Sequence, residues 1–230
     1  MSSPRDQALA ALVQLLAGTL GYVAAFMALR WALGVDVATK EIEPLMLLHG
    51  AGCAGFVAVG TALPATAWVG SARGLGGGMV AYCGFLLAWV PLVAFAYPVL
   101  LRWLDVSFAA QPHLAWFLAA DLGRWQTIAM IATVLVIGPW MEELAFRGYI
   151  RDLLRASVGP RAGVYGTAIL FGLMHGLLYA VPLALLGLLF GWLRERTAGL
   201  LVPLVVHALH NSLALGVCLA FPELMEAVYQ

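Results

Sequence analysis

Charge is scarce in this sequence. Only 10% of its 230 residues are Asp, Glu, Lys or Arg, while 63% are hydrophobic, against about a quarter charged and about half apolar in an ordinary soluble domain. Folded in water, such a chain would expose large apolar patches and aggregate. An excess of one sign is missing too. Twelve basic and twelve acidic residues leave a formal net charge of +0, with no clustered basic surface of the kind that binds nucleic acid. The three cysteines, Cys53, Cys83 and Cys218, all lie in apolar stretches and form no Cys-x-x-Cys pair. They read as small buried side chains rather than a disulfide or metal framework. No internal repeat or low-complexity tract is present.

What the chain has instead is a series of long apolar runs. A membrane-spanning helix needs about 20 mostly apolar residues. The first run, Ala8 to Leu33, is too long for the core of a cleaved signal and reads as a membrane helix. Further candidates are Pro44 to Val69, Leu75 to Leu101, Thr127 to Ile150, Ala162 to Leu193 and Leu200 to Phe221. The fifth is too long for one helix, and Pro182, following Tyr179, is the expected turn that splits it. The expectation is therefore an all-α, polytopic bundle of about seven spans, six being the alternative, in one integral membrane domain over residues 1–230. Arg102 to Gln126, which mixes Trp103, Trp116 and Trp125 with charges, reads as an interfacial segment. Arg73, Arg147, Arg151, Arg155, Arg161, Arg194 and Arg196 fall on one side of a seven-span topology, expected to be cytoplasmic. Asp36, Glu41 and Glu43 fall on the other. Arg102 and Arg124 run against that pattern.

Ionisable groups inside a span are costly and point to function. Glu142 and Glu143 end an apolar run in Gly138-Pro139-Trp140-Met141-Glu142-Glu143-Leu144-Ala145-Phe146-Arg147. Two adjacent carboxylates cannot both ionise cheaply in low dielectric, so one is expected to be paired. Glu143 and Arg147 stand at i, i+4 and share a helix face, while Glu142 points about 100° away. Glu143 is thus expected to be structural and Glu142 free to face the interior; the alternative is that both mark an interfacial helix end. Pro139 adds a kink and releases backbone carbonyls nearby. His175 lies deep in an apolar helix. His207 and Asn211, again at i, i+4, share a face of the last helix, with His210 near its edge. Interhelical hydrogen bonding is the alternative role for these polar groups.

The ordered set Glu142-Glu143-x-x-x-Arg147, Phe171-x-x-x-His175 and His207-x-x-x-Asn211 resembles the three motifs of the CAAX-processing and bacteriocin-processing (CPBP, or Abi) intramembrane proteases. Gly187-x-x-x-Gly191 through Thr197, Gly199 and Pro203-x-x-x-His207 is similar to that family's penultimate helix and loop, although Ala198 to Leu200 departs from its common Gly-Ser-Leu. The resemblance runs from about Gly138 to Asn211, and the first three spans carry no motif. It implies a catalytic core near residues 126–221 and a glutamate-dependent endopeptidase. In eukaryotic members the bond cut lies near the C-terminus of prenylated proteins. By the same resemblance Glu142 activates water with His175, His207 and Asn211 hold the oxyanion, and Glu143, Arg147 and Phe171 support them. No metal or other cofactor is implied. The expected partners are membrane lipid and a peptide or lipidated-protein substrate, and the expected location is the bacterial inner membrane.

Two other readings stay open on sequence. Glu142, His175 and His207 are all proper zinc ligands, although a His-Glu-x-x-His arrangement is absent. An inert scaffold, immunity protein or small transporter is the other, since intramembrane Glu and His also mark ion paths. No inverted repeat supports the transporter.

Overall fold

The structure, a computed structural model, describes residues 3–36, 38–39, 41–62, 72–107, 114, 116–117 and 124–223. Among them it is all helical, without strands. Six helices are long and apolar enough to cross a membrane: α1 (Pro4–Leu33), α2 (Ile42–Ala62), α3 (Leu75–Trp103), α4 (Trp125–Ser157), α6 (Leu177–Thr197) and α7 (Leu201–Ala220). A shorter apolar helix, α5 (Ala162–Met174), lies between α4 and α6. At 1.5 Å per residue it is too short to cross a hydrocarbon core of about 30 Å by itself. Leu20, Val80, Leu87 and Phe95 are exposed on the outside, where only lipid matches them. The chain is an integral membrane protein.

Local chemistry accounts for two boundaries that differ from the sequence expectation. α1 begins at Pro4 rather than Ala8 because Ser3 caps it. The Ser3 hydroxyl accepts from the Asp6 N–H, the Asp6 carboxylate accepts from the Ser3 N–H, and Pro4 takes the first helical position. The break in the long fifth run falls at His175 and Gly176, not at Pro182. Gly176 has φ of 99°, a conformation that only glycine adopts without strain. Pro182 instead sits in the first turn of α-helical Ala180–Thr197, where a missing N–H leaves no hydrogen bond unmade. Most of the expected interfacial segment, including 108–113 and 118–123, lies outside the described residues, as does the 63–69 end of the second run.

α4 is the central helix, touching α1, α2, α5, α6 and α7. α1 and α2 pack together most extensively. A Cβ at Gly21 would stand 2.6 Å from the Gly55 carbonyl oxygen, so the two backbones meet directly, as small residues allow between membrane helices. At one end of the bundle Arg151 and Arg155 both pair with Glu195, tying α4 to α6. At the other, Arg124 pairs with Glu43 at 3.1 Å, tying the start of α4 to α2.

Candidate active site

The site grows out of irregularities in α4. Thr133–Ile137 and Glu143–Ile150 are π-helical and flank the α-helical turn Gly138–Glu142. In the first π turn the Gly138 N–H bonds back to the Thr133 carbonyl, five residues earlier. The Val134 carbonyl thereby loses its α-helical donor, and the next residue, Pro139, has no N–H to offer. Asn211 supplies the missing bond, its Nδ2 donating to Val134 O at 2.9 Å. One amide hydrogen of Asn211 is therefore committed to backbone repair and one is left over.

Glu143 and Arg147 form the buried ion pair expected from their spacing. Arg147 Nη1 is 3.1 Å from Glu143 Oε1, with side chains 0% and 1% exposed. Arg147 Nη2 donates to the Gly187 carbonyl at 3.1 Å. A Cβ at Gly187 would come within 3.1 Å of Ala168 Cα and 3.3 Å of Arg147 Nη2, so that glycine is both packing space and a backbone acceptor. The guanidinium lies over Phe171 at 4.4 Å and Phe190 at 5.1 Å, a cation–π contribution that a desolvated cation needs.

The third member of this cluster is His207, whose pairing with Glu143 sequence reasoning missed. His207 Nδ1 lies 2.8 Å from Glu143 Oε1, and its ring stacks on Phe190 at 4.5 Å. A carboxylate oxygen accepts here, so Nδ1 carries the proton and Nε2 is the ring's free nitrogen. Nε2 stands 3.6 Å from Glu142 Oε2, too far for a hydrogen bond. Glu142 Oε2 is buried and has no hydrogen-bond partner among the described residues. One residue apart, Glu143 is closed into an ion pair and Glu142 is left open.

Glu142 lines a cavity of about 320 Å³ together with Phe171, His175, His207 and Asn211. All four residues expected to be catalytic thus border one space, contributed by α4, the end of α5, and α7. His175 Nδ1 donates to the Phe171 carbonyl at 2.7 Å, which fixes the other nitrogen of the neutral ring as an acceptor. Two further histidines border the cavity, His49 from α2 and His210 from α7. Tyr22 Oη lies 2.8 Å from His49 Nδ1, and Tyr82 Oη lies 3.1 Å from His210 Nδ1. His49 could have been found from sequence by the rule that singled out Glu142, since it is an ionisable residue inside an apolar span. Trp89 and Val93 of α3, Met46 of α2 and Leu114 complete much of the apolar wall.

The fold and cavity define a class: a helical membrane protein that encloses a polar chamber carrying a glutamate, histidines and an asparagine. Residues 124–213 match the family model for Rce1-like proteins, described as type II CAAX prenyl endopeptidase Rce1-like. The resemblance drawn from the motifs is thereby shown over that stretch, and the family implies a protease, a hydrolase acting within the membrane. No curated protein and no solved structure matches the chain.

Proposed function

We propose that this protein is an intramembrane endopeptidase in which Glu142 activates the attacking water. The observation that carries the reading is the placement of Glu142: it has a carboxylate oxygen without a hydrogen-bond partner and lies on the wall of a cavity shared with His175, His207 and Asn211, whereas Glu143 is paired through Oε1 with Arg147 and His207 and does not line that cavity. In this reading Glu142, with the acceptor nitrogen of His175, takes a proton from water as its oxygen attacks the scissile carbonyl carbon. The carbonyl π electrons pass to oxygen, and the spare amide hydrogen of Asn211 and His207 hold the oxyanion. Collapse re-forms the carbonyl, breaks the C–N bond and returns the proton from Glu142 to the departing amine.

Because His207 Nδ1–H is committed to Glu143, the ring donates through Nε2 only when protonated. In this reading His207 donates from the protonated ring while Glu142 is the carboxylate base, an assignment that leaves Arg147, Glu143, Glu142 and His207 together without net charge.

The substrates in this reading are lipidated or membrane-associated peptides, by similarity to the CAAX prenyl endopeptidase family. The test is a comparison of C-terminal and internal cleavage products in cells carrying wild-type protein or Glu142→Ala. Products that depend on Glu142 support the reading; identical product sets refute it. The same purified protein is expected to contain no stoichiometric zinc. Among the described residues no three His, Cys, Asp or Glu side chains are grouped to hold a metal. About one zinc per chain, lost with activity in His175→Ala, would replace the glutamate mechanism by a metal one.

A further inference from the structure

We propose that His210 is an additional oxyanion donor of this site, acting through its Nε2–H and held in that tautomer by Tyr82. The inference rests on the endopeptidase reading above. His210 stands three residues after His207 and one before Asn211 on α7, only 6% exposed, and its ring lines the cavity. Its Nδ1 is 3.1 Å from Tyr82 Oη, and the Trp89 and His210 rings form a T-shaped pair with centroids 4.7 Å apart at 81°.

The direction of the Tyr82–His210 bond decides the chemistry. Tyr82 is 2% exposed, and His210 is the hydrogen-bond partner of its hydroxyl. If the ring donated, the hydroxyl proton would be buried without an acceptor, a large penalty for a polar group in an apolar core. If Tyr82 donates, its hydroxyl proton and the His210 Nδ1 are both satisfied. Nδ1 then holds the lone pair and Nε2 holds the proton. Nε2 has no hydrogen-bond partner among the described residues.

The other two polar groups of α7 are less available. His207 has given its proton-bearing nitrogen to Glu143 and becomes a donor only as a cation. Asn211 has given one amide hydrogen to Val134. His210 alone of the three offers an N–H from a neutral ring, clamped by a tyrosine and a tryptophan before any substrate arrives. Preorganised donors of this kind stabilise a developing oxyanion without reorganisation at the moment of reaction.

The experiment has two arms, both on the full chain in lipid nanodiscs. In the first, long-range ¹⁵N–¹H spectra of histidine-labelled protein report the tautomer of His210, assigned by its absence in His210→Gln. A proton on Nε2 in the wild type, and loss of that preference in Tyr82→Phe, are expected. A proton on Nδ1 overturns the proposal. In the second, hydrolysis of an internally quenched, farnesylated Cys-aliphatic-aliphatic-X peptide is followed. His210→Ala is expected to lower kcat about 10²-fold with KM unchanged. His210→Gln, whose amide N–H reaches a similar place, is expected to recover part of the loss. An effect on KM alone, or an unchanged kcat, overturns the proposal. If wild type leaves the peptide uncut, or Glu142→Gln cuts it equally fast, the endopeptidase reading fails and takes the donor role with it. The tautomer arm uses no substrate and shows which of the two failed.

Discussion

Two polar layers meet between residues 142 and 143, and they are built on opposite terms. Below, Glu143 is held by Arg147 and His207, with Phe171 and Phe190 under the guanidinium. Above, Glu142 and His175 border open space and keep acceptor capacity in reserve. The lower layer joins its charged groups to each other through Glu143 Oε1 and ties α4 to α6 and α7. The upper layer leaves them unspent, which stabilises nothing and suits a reacting molecule. Adjacent, chemically identical side chains thus take up different work because a helix points them in different directions.

The largest expected effect tests the upper layer. Glu142→Gln should lower kcat by ~10²–10⁴-fold, the usual contribution of a general base, while its thermal unfolding in detergent follows the wild type. Substantial turnover by this variant would break the contrast. The lower layer should answer in stability. Glu143→Gln removes the partner of a buried Arg147 and should destabilise by about 3–5 kcal/mol, read from denaturation of the detergent-solubilised protein. Equal unfolding curves for the two glutamine variants would mean that the layers are not distinct.

Smaller effects sharpen the boundary. Gly187→Ala pushes a methyl against Ala168 and the Arg147 guanidinium and should destabilise by about 1–3 kcal/mol through overpacking, measured in the same way. The smallest expected change is a gain. Ala198 has φ of 50°, the left-handed conformation that a Cβ disfavours by about 1–2 kcal/mol. Ala198→Gly should raise the unfolding midpoint and leave turnover unchanged, so a fall in either would show that the α6–α7 turn is not simply strained.

Much of this was legible in the sequence, for particular reasons. The i, i+4 spacing gave the Glu143–Arg147 pair, which survives although the segment is π-helical and not α-helical. Pro139 announced a freed carbonyl, but the partner of Val134 could not be named, because that depends on how α7 is rotated against α4. The same holds for His207 and Glu143, 64 positions apart. Gly176 outweighed Pro182 as the break because a proline in a first turn extends a helix as readily as it ends one. The four cavity histidines illustrate the limit most clearly. His175 and His207 stood in recognisable spacings and His49 inside an apolar span, whereas His210, placed in sequence only near the edge of the His207 face, is marked by its burial and by a tyrosine from α3.

A chamber wall drawn partly from α2 and α3 has a consequence for how such a chain tolerates truncation. Polypeptide begun at residue 124 would retain every motif residue and the whole matched stretch. It would lack Met46, His49, Trp89, Val93 and Leu114 from the lining. Acyl chains would then reach the space beside Glu142 and displace the water that the proposed hydrolysis needs. The boundary of the recognisable sequence is therefore not the boundary of the vessel: the motif residues sit in one half of the chain, and part of the wall around them comes from the other.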